Sequence, residues 1–257
     1  MTRWVFVQAR LGSTRLPGKV LKPIGGKSVI EHLHERLLFL RSLVADFKIA
    51  YLIPDNVENL NLSKFIEKMP DCEVYLGDEK NVLSRFGGAF KKFGPSKILR
   101  VTADCPFVDP FALKKLVQIG DDRNLDYCFL GPTFAEGVNG DYFNAKTFQS
   151  VFYAENKKPE DLEHITPYFH RNKTLLNCLG LKNEIDESKF RIVLDSEQDY
   201  SALKELENHL KNLSIPEKYK FSTFKNIISQ YPHIASINCD EIRNESFDVF
   251  SKYDLSR

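Results

Sequence analysis

Cysteine is sparse and scattered: five in 257 residues (Cys72, Cys105, Cys128, Cys178, Cys239), with no C-x-x-C pair among them. That spacing excludes a zinc knuckle and a disulfide scaffold, and predicts reduced thiols packed as small apolar residues in a cytoplasmic protein. Net charge is nearly absent as well, since 36 basic residues face 35 acidic ones. No global field draws the chain to nucleic acid or to an anionic membrane, so a polyanion has to be gripped locally. No apolar run approaches the roughly 20 residues that span a bilayer, which excludes membrane insertion by a helix. Residues 4–9 are too short for a signal-peptide core, and Arg10 breaks them. The common phosphate-loop signatures are missing too. Gly18-Lys19 runs into Val20 where a Walker A loop needs Ser or Thr, and there is no G-x-G-x-x-G. Without an internal repeat, low-complexity tract or clear linker, the simplest organisation is one domain over 1–257 with a small irregular lobe at about residues 131–175.

What is present begins at the N-terminus. Trp4-Val5-Phe6-Val7-Gln8-Ala9 reads as a buried strand. It enters Arg10-Leu11-Gly12-Ser13-Thr14-Arg15-Leu16-Pro17-Gly18-Lys19, a loop with two glycines, two hydroxyls and three cations. Residues 28–43 follow with apolar positions at helical spacing (Val29, Ile30, Leu33, Leu37, Leu40). Glycines let backbone N–H groups approach a polyanion, and Arg10, Arg15 and Lys19 supply the opposite charge. In an open α/β sheet, ligands sit beyond the carboxyl ends of the strands, where this loop belongs. A triphosphate site is therefore expected; the alternative is a solvated basic turn.

Further strands are predicted over 48–53, 73–76, 97–102, 127–130 and 191–194, with helices over 59–68, 82–93, 110–118, 144–155 and 199–210. Residues 163–171 form a histidine-bearing segment, and 221–257 hold one more helix and a polar tail. The alternation predicts an α/β protein, a three-layer αβα Rossmann-like arrangement around a mostly parallel sheet. His32 and His34 are expected at solvent or at the core boundary. The many phenylalanines are expected in the core and at interfaces.

Two aspartates stand just beyond predicted strands: Asp104 after Arg100-Val101-Thr102-Ala103, and Asp195 after Arg191-Ile192-Val193-Leu194. Neighbouring parallel strands would open both onto the phosphate-loop edge. Mg2+ is commonly held by one or two carboxylates plus substrate phosphates. Alternatively each caps a helix, as Asp109 before Pro110 is expected to do and as Asp195 before Ser196-Glu197 is placed to do.

The run Gln8-Ala9-Arg10-Leu11-Gly12-Ser13-Thr14-Arg15-Leu16-Pro17-Gly18-Lys19-Val20-Leu21 resembles the nucleotide loop of sugar cytidylyltransferases, in particular the SpsF-like group. Gly25-Gly26-Lys27, Asn81-Val82-Leu83-Ser84-Arg85-Phe86, Arg100 to Pro106, Glu163-His164-Ile165-Thr166-Pro167-Tyr168, Arg191 to Asp199, Ile237-Asn238 and Arg243-Asn244-Glu245 follow in the same order. The resemblance implies the nucleotide-diphospho-sugar transferase fold, and transfer of CMP from CTP to a sugar acid or related acceptor with release of pyrophosphate. It implies triphosphate binding by Arg10, Ser13 and Lys19 with Arg15 assisting, and Mg2+ at Asp104 and Asp195. Lys19, Arg10 and Asp104 are then the catalytic set. Gln8, Ala9, Gly12 and Ala103 complete the nucleotide side, and Asn139, Asp141, Glu163 and His164 the acceptor side. A homodimer through residues 131–175 is implied as well.

The departures cluster on the acceptor side. Asn139 replaces an acid, Asp141 shortens one, Leu162 stands where arginine is usual, and Asn81 replaces an aspartate. A changed acceptor accounts for these, as does weakened catalysis. Two other functions compete: a glycosyltransferase of similar fold, disfavoured because Asp104-Cys105-Pro106 is not a D-x-D motif, and a non-catalytic nucleotide-binding subunit.

Overall fold

A computed structural model describes residues 2–242. The tail match Arg243-Asn244-Glu245 and the remaining polar tail lie outside the described residues. The chain opens with β1 (Arg3–Gln8), passes the basic loop and a small hairpin of β2 (Pro23–Ile24) and β3 (Lys27–Ser28), and enters α1 (Val29–Leu43). Then come β4 (Phe47–Pro54), α2 (Leu60–Ile66), β5 (Cys72–Gly77), α3 (Val82–Phe93), β6 (Lys97–Thr102), α4 (Pro110–Asp122) and β7 (Tyr127–Leu130). The second half holds β8 (Asp141–Asn144), α5 (Ala145–Tyr153), α6 (Pro159–Glu163), α7 (Thr166–Arg171), β9 (Cys178–Leu181), α8 (Glu197–Leu210), α9 (Phe221–Gln230) and α10 (His233–Ile237). Among the described residues, no helix is long and apolar enough to cross a membrane.

Seven strands form one sheet in the order β5-β4-β1-β6-β8-β7-β9, parallel except for β8, which runs antiparallel to both neighbours. Side chains alternate across a strand, and β1 shows the consequence. Val5 and Val7 enter a core shared with α1, α4, α8 and α9, whereas Trp4 and Phe6 enter an aromatic core under α3, α5 and α7. These are the three layers expected.

The expected edges hold in the first half. Ser28 and Glu31 form a capping box at the start of α1, and Asp109 caps α4 by accepting from Phe111 N at 2.7 Å and Ala112 N at 3.2 Å. The second half departs in three places. Residues 141–144, expected in a loop and the start of a helix, form β8. The helix begins only at Ala145, because Asn144 Oδ1 accepts from Thr147 N at 2.8 Å and caps it. Strand β9 carries a glycine in a four-residue run and gives no periodic signal. Among the described residues, the predicted strand 191–194 pairs with no strand of the sheet and shows only a parallel bridge between Arg191 and Glu136. Its hydrogen bonds go to loops, Ile192 N to Glu136 O at 2.7 Å and Leu194 N to Asp104 O at 2.8 Å, while Ile192 and Leu194 are buried in the core that α8 covers. In the first half one expectation fails: His32 and His34 are buried rather than peripheral. His32 Nε2 donates to Ile24 O at 2.8 Å, and His34 bridges the Tyr51 hydroxyl and Pro70 O. Burial pushes both pKa values down.

Candidate active site

The loop after β1 is a closed turn. Ser13 N and Gly18 N both donate to Leu11 O, at 2.7 and 3.0 Å, and Leu11 N donates to Asn59 Oδ1 at 2.8 Å. Leu16 anchors the turn in the core. Gly18 takes φ +68°, a left-handed conformation that suits glycine, and turns the chain into a short 3-10 segment, Lys19–Leu21. That turn sends Lys19 inward while Arg10, Thr14 and Arg15 stay exposed. The loop walls an open cleft of about 290 Å3 at the carboxyl ends of β1 and β6.

Lys19 is the centre of the cleft's charge. Its Nζ donates to Asp104 Oδ2 at 2.8 Å and to Asp195 Oδ1 at 2.6 Å, and Arg15 reaches Asp195 Oδ2 at 3.1 Å. Burial works against the ammonium, but the two carboxylates outweigh it and raise the pKa of Lys19. Burial likewise opposes the charge of Asp104, and Lys19 holds its pKa below the usual carboxylate range. Asp195 is not a helix cap: Ser196 caps α8, its Oγ accepting from Asp199 N at 3.1 Å. The carboxylate of Asp195 is therefore left to the cleft.

A buried network fixes the segment that carries Asp195. Arg191 donates to both oxygens of Asp199, at 2.7 and 2.8 Å, and to Glu136 at 2.5 Å. Asn238 adds a bond to Asp199 Oδ1 at 2.9 Å, and Asp199 Oδ2 accepts from Asp195 N at 2.9 Å. Burial opposes ionisation of Asp199, yet Arg191 and Asn238 keep its pKa low. Sequence reasoning missed this set as a unit. Its one signal was a charge-rich pattern, Arg191 with Asp199 eight residues on, around an apolar run.

The other end of the cleft lies on the opposite face of the sheet. Arg100, in the middle of apolar β6, donates to Asp141 Oδ2 at 2.8 Å and to Gln8 Oε1 at 3.3 Å. Tyr127 donates to Asp141 Oδ1 at 2.6 Å, and its oxygen meets His170 Nε2 at 2.9 Å. Burial pushes the pKa of His170 down to about 3, so the ring is neutral at pH 7. A phenol gives its single proton to the carboxylate, so His170 Nε2–H donates to Tyr127. Arg100, Tyr127 and His170 were not expected here; a charge amid Ile98-Leu99 and Val101 was the available sign.

Of the residues expected from sequence, Gln8, Arg10, Ser13, Arg15, Lys19 and Ala103 line this cleft, and so do Asp104, Asp195, Asn139, Asp141 and His164. Ala9 is buried behind it, packed in the core. Gly12 lies in the loop beside Glu58, where an added Cβ would stand 3.4 Å from its carboxylate. Glu163 is exposed at the end of α6, outside the cleft lining.

A mostly parallel sheet with a basic loop and two lysine-bridged aspartates at its strand ends defines a nucleotidyltransferase of the nucleotide-diphospho-sugar transferase fold. The model of the cytidylyltransferase family matches residues 4–230, and the chain belongs to that family. It is 29% identical over 205 residues to the spore coat polysaccharide biosynthesis protein SpsF of Bacillus subtilis, covering 78% of this chain and 84% of that protein. Its fold is similar to that of a cytidylyltransferase from Leptospira borgpetersenii serovar Hardjo-bovis, with a TM-score of 0.83 and 26% identity over 95% of this chain and 100% of the other. It is also similar in fold to a CMP:2-keto-3-deoxy-manno-octonic acid synthetase complexed with CTP (TM-score 0.60, 17% identity, 81% of this chain and 99% of that one).

Proposed function

We propose that the protein transfers CMP from CTP to a hydroxyl of a sugar acid or related sugar-derived acceptor, with Mg2+, in the making of a surface-glycan precursor. The acceptor oxygen forms a bond to the α-phosphorus, the bond to the β-phosphate bridge breaks, pyrophosphate leaves, and the hydroxyl proton passes to solvent. The observation that carries this reading is Lys19 held between Asp104 and Asp195 beside a loop bearing Arg10 and Arg15. In-line displacement at phosphorus needs charge neutralisation and alignment more than covalent help.

The donor set fits Mg2+. Two carboxylates already converge on one cation, Lys19 Nζ, and among the described residues no group of three or more His, Cys, Asp or Glu gathers to hold a metal unaided. Such a site is completed by phosphate oxygens, which suits a cation that keeps few protein ligands. Asp104 and Asp195 would hold it, and when bound it would supply positive charge to the phosphates and the leaving group. Lys19, drawn from the carboxylates, and Arg10 would bind the triphosphate, with Ser13 and the backbone of the loop positioning it. Gln8 and Ala103 line the side where the base would lie.

We further propose pairing of two copies through residues 131–175, where Tyr153 and Leu175 are 66% and 79% exposed; sedimentation would read it directly. The central test is pyrophosphate release with Mg2+, offering each of the four ribonucleoside triphosphates with a panel of sugar acids and related acceptors. Release with CTP and one acceptor supports the reading. Absence of CTP binding by calorimetry sinks it.

A further inference from the structure

One stretch of the cleft wall combines a reactive sequence with loosely held groups. Asn139 is followed by Gly140, and the 257 residues hold no other Asn-Gly pair. Both residues line the cleft, in the loop between β7 and β8. Gly140 O accepts from Leu130 N at 3.1 Å, but Gly140 N–H has no acceptor among the described residues. Packing requires the glycine: a Cβ there would stand 2.5 Å from Leu113 Cδ2 and 3.3 Å from Leu116 Cδ2. The same demand leaves the nitrogen of residue 140 without a side chain to shield it.

The side chain of Asn139 is held just as loosely. Its Oδ1 is buried without a partner, and its Nδ2 only leans on Cys105 Sγ, a weak acceptor, at 3.8 Å. Other asparagines of the chain are tied down. Asn56, Asn81 and Asn144 each cap a helical segment through Oδ1, and Asn144 also gives its Nδ2 to Asp126 Oδ1 at 3.0 Å. An amide that makes no good hydrogen bond has little to give up on turning toward its own backbone. Because the cleft is open, water and hydroxide reach the pair.

We propose that Asn139 is a site of self-modification, converted through its own backbone into a mixture of aspartate and isoaspartate. Gly140 N, losing its proton to hydroxide, attacks Asn139 Cγ. The new N–C bond closes a succinimide ring, the Cγ–Nδ2 bond breaks, and Nδ2 leaves as ammonia after taking a proton from water. Water then opens the ring. Attack at Cγ frees the side chain as aspartate, whereas attack at the backbone carbonyl leaves Gly140 joined through Cγ as isoaspartate. One water enters and one ammonia leaves, with no oxidant, metal or nucleotide consumed, so this chemistry is independent of the transferase reading. Either product sets a carboxylate beside the Cys105 thiol. Isoaspartate also adds a methylene to the backbone just ahead of Asp141, the residue that Arg100 and Tyr127 hold in place.

The test incubates the full wild-type chain in warm, mildly alkaline buffer and maps its peptides by mass spectrometry over days, with released ammonia measured alongside. Asn139 is expected to gain the mass of an amide-to-acid exchange at least about tenfold faster than any other asparagine, because glycine leaves the attacking nitrogen unhindered. Isoaspartate at position 139, read by isoaspartyl methyltransferase labelling, marks the ring, since direct hydrolysis gives aspartate alone. The native rate is expected to lie within about tenfold of the rate in the same chain unfolded in guanidinium chloride, as the loss of less than one good hydrogen bond implies. Asn139→Gln, whose longer side chain closes such a ring poorly, should lose the reaction. An Asn139 that ages no faster than the other asparagines overturns the proposal, as does aspartate without isoaspartate. A native rate slower than that range overturns it too, by showing that the fold holds the amide away from Gly140 N. Misfolding of the glutamine variant changes none of this, because the wild-type measurements decide alone.

Discussion

The two ends of the cleft hold their charges in opposite ways. At the phosphate end a single ammonium sits between two carboxylates, within reach of solvent and of an exposed arginine, and each member has another partner to turn to. At the other end an arginine–aspartate pair is closed by a phenol and a neutral imidazole, and Tyr127 and His170 are packed among aromatic rings. The first arrangement is open to exchange when a polyanion enters. The second is a fixed frame, and on the proposed reading it would select the acceptor by shape and hydrogen bonding. On the proposed reading, triphosphate binding and acceptor choice would fall to different chemistry on opposite faces of one sheet.

The largest effect should come from neither end but from the network beneath the first. Arg191→Ala leaves Asp199 and Glu136 buried without their cation, at a cost of about 3–5 kcal/mol in unfolding free energy, readable by denaturant titration. Should stability hold, the segment bearing Asp195 is fixed by something else. Next, Asp104→Asn removes a carboxylate at the exchangeable end. Turnover is expected to fall on the order of 100- to 1,000-fold, with CTP affinity measured without metal little changed. A parallel loss of metal-free affinity would show that Asp104 chiefly orients Lys19. Tyr127→Phe removes two hydrogen bonds from the frame, the one given to Asp141 and the one taken from His170, and should lower stability by about 1–3 kcal/mol. CTP affinity should stay put while acceptor KM rises, which separates the two ends kinetically.

A further effect is on pH dependence. His170 has its pKa pushed from 6.5 to about 3 by burial, so the unfolded chain binds a proton that the folded chain refuses. The stability tied to neutral His170 is intact above pH 6.5 and is lost as pH falls toward 3, by up to about 1.4 kcal/mol per pH unit. Urea titrations at pH 7 and pH 5 should show this slope in the wild type and lose it in His170→Gln. An unchanged slope would place the protonation elsewhere.

These contrasts also explain what was legible in the sequence. The phosphate end is built from one contiguous loop plus two aspartates that follow short apolar runs, so spacing offered it as one of two readings and the family resemblance chose between them. The frame draws Gln8, Arg100, Tyr127, Asp141 and His170 from five separate segments, and no local pattern joins them. Its one trace was a charged residue inside an apolar strand. The fold shows the same division. Parallel strands with long apolar runs were readable, whereas β8 and β9 are four-residue strands whose pairing depends on neighbours distant in sequence. The segment 191–194 was misread because burial, not strand pairing, makes it apolar.

Lys19 has one more consequence. Because it is tethered to the loop, its ammonium is present at the two carboxylates at an effective concentration of millimolar order or above. A dissolved cation arriving alone has to displace it from both Asp104 and Asp195, and does so poorly. A triphosphate that draws Nζ onto its own oxygens vacates those carboxylates at the moment they are wanted. On the proposed reading the lysine is a placeholder, and its release would make nucleotide and metal ion enter as a pair.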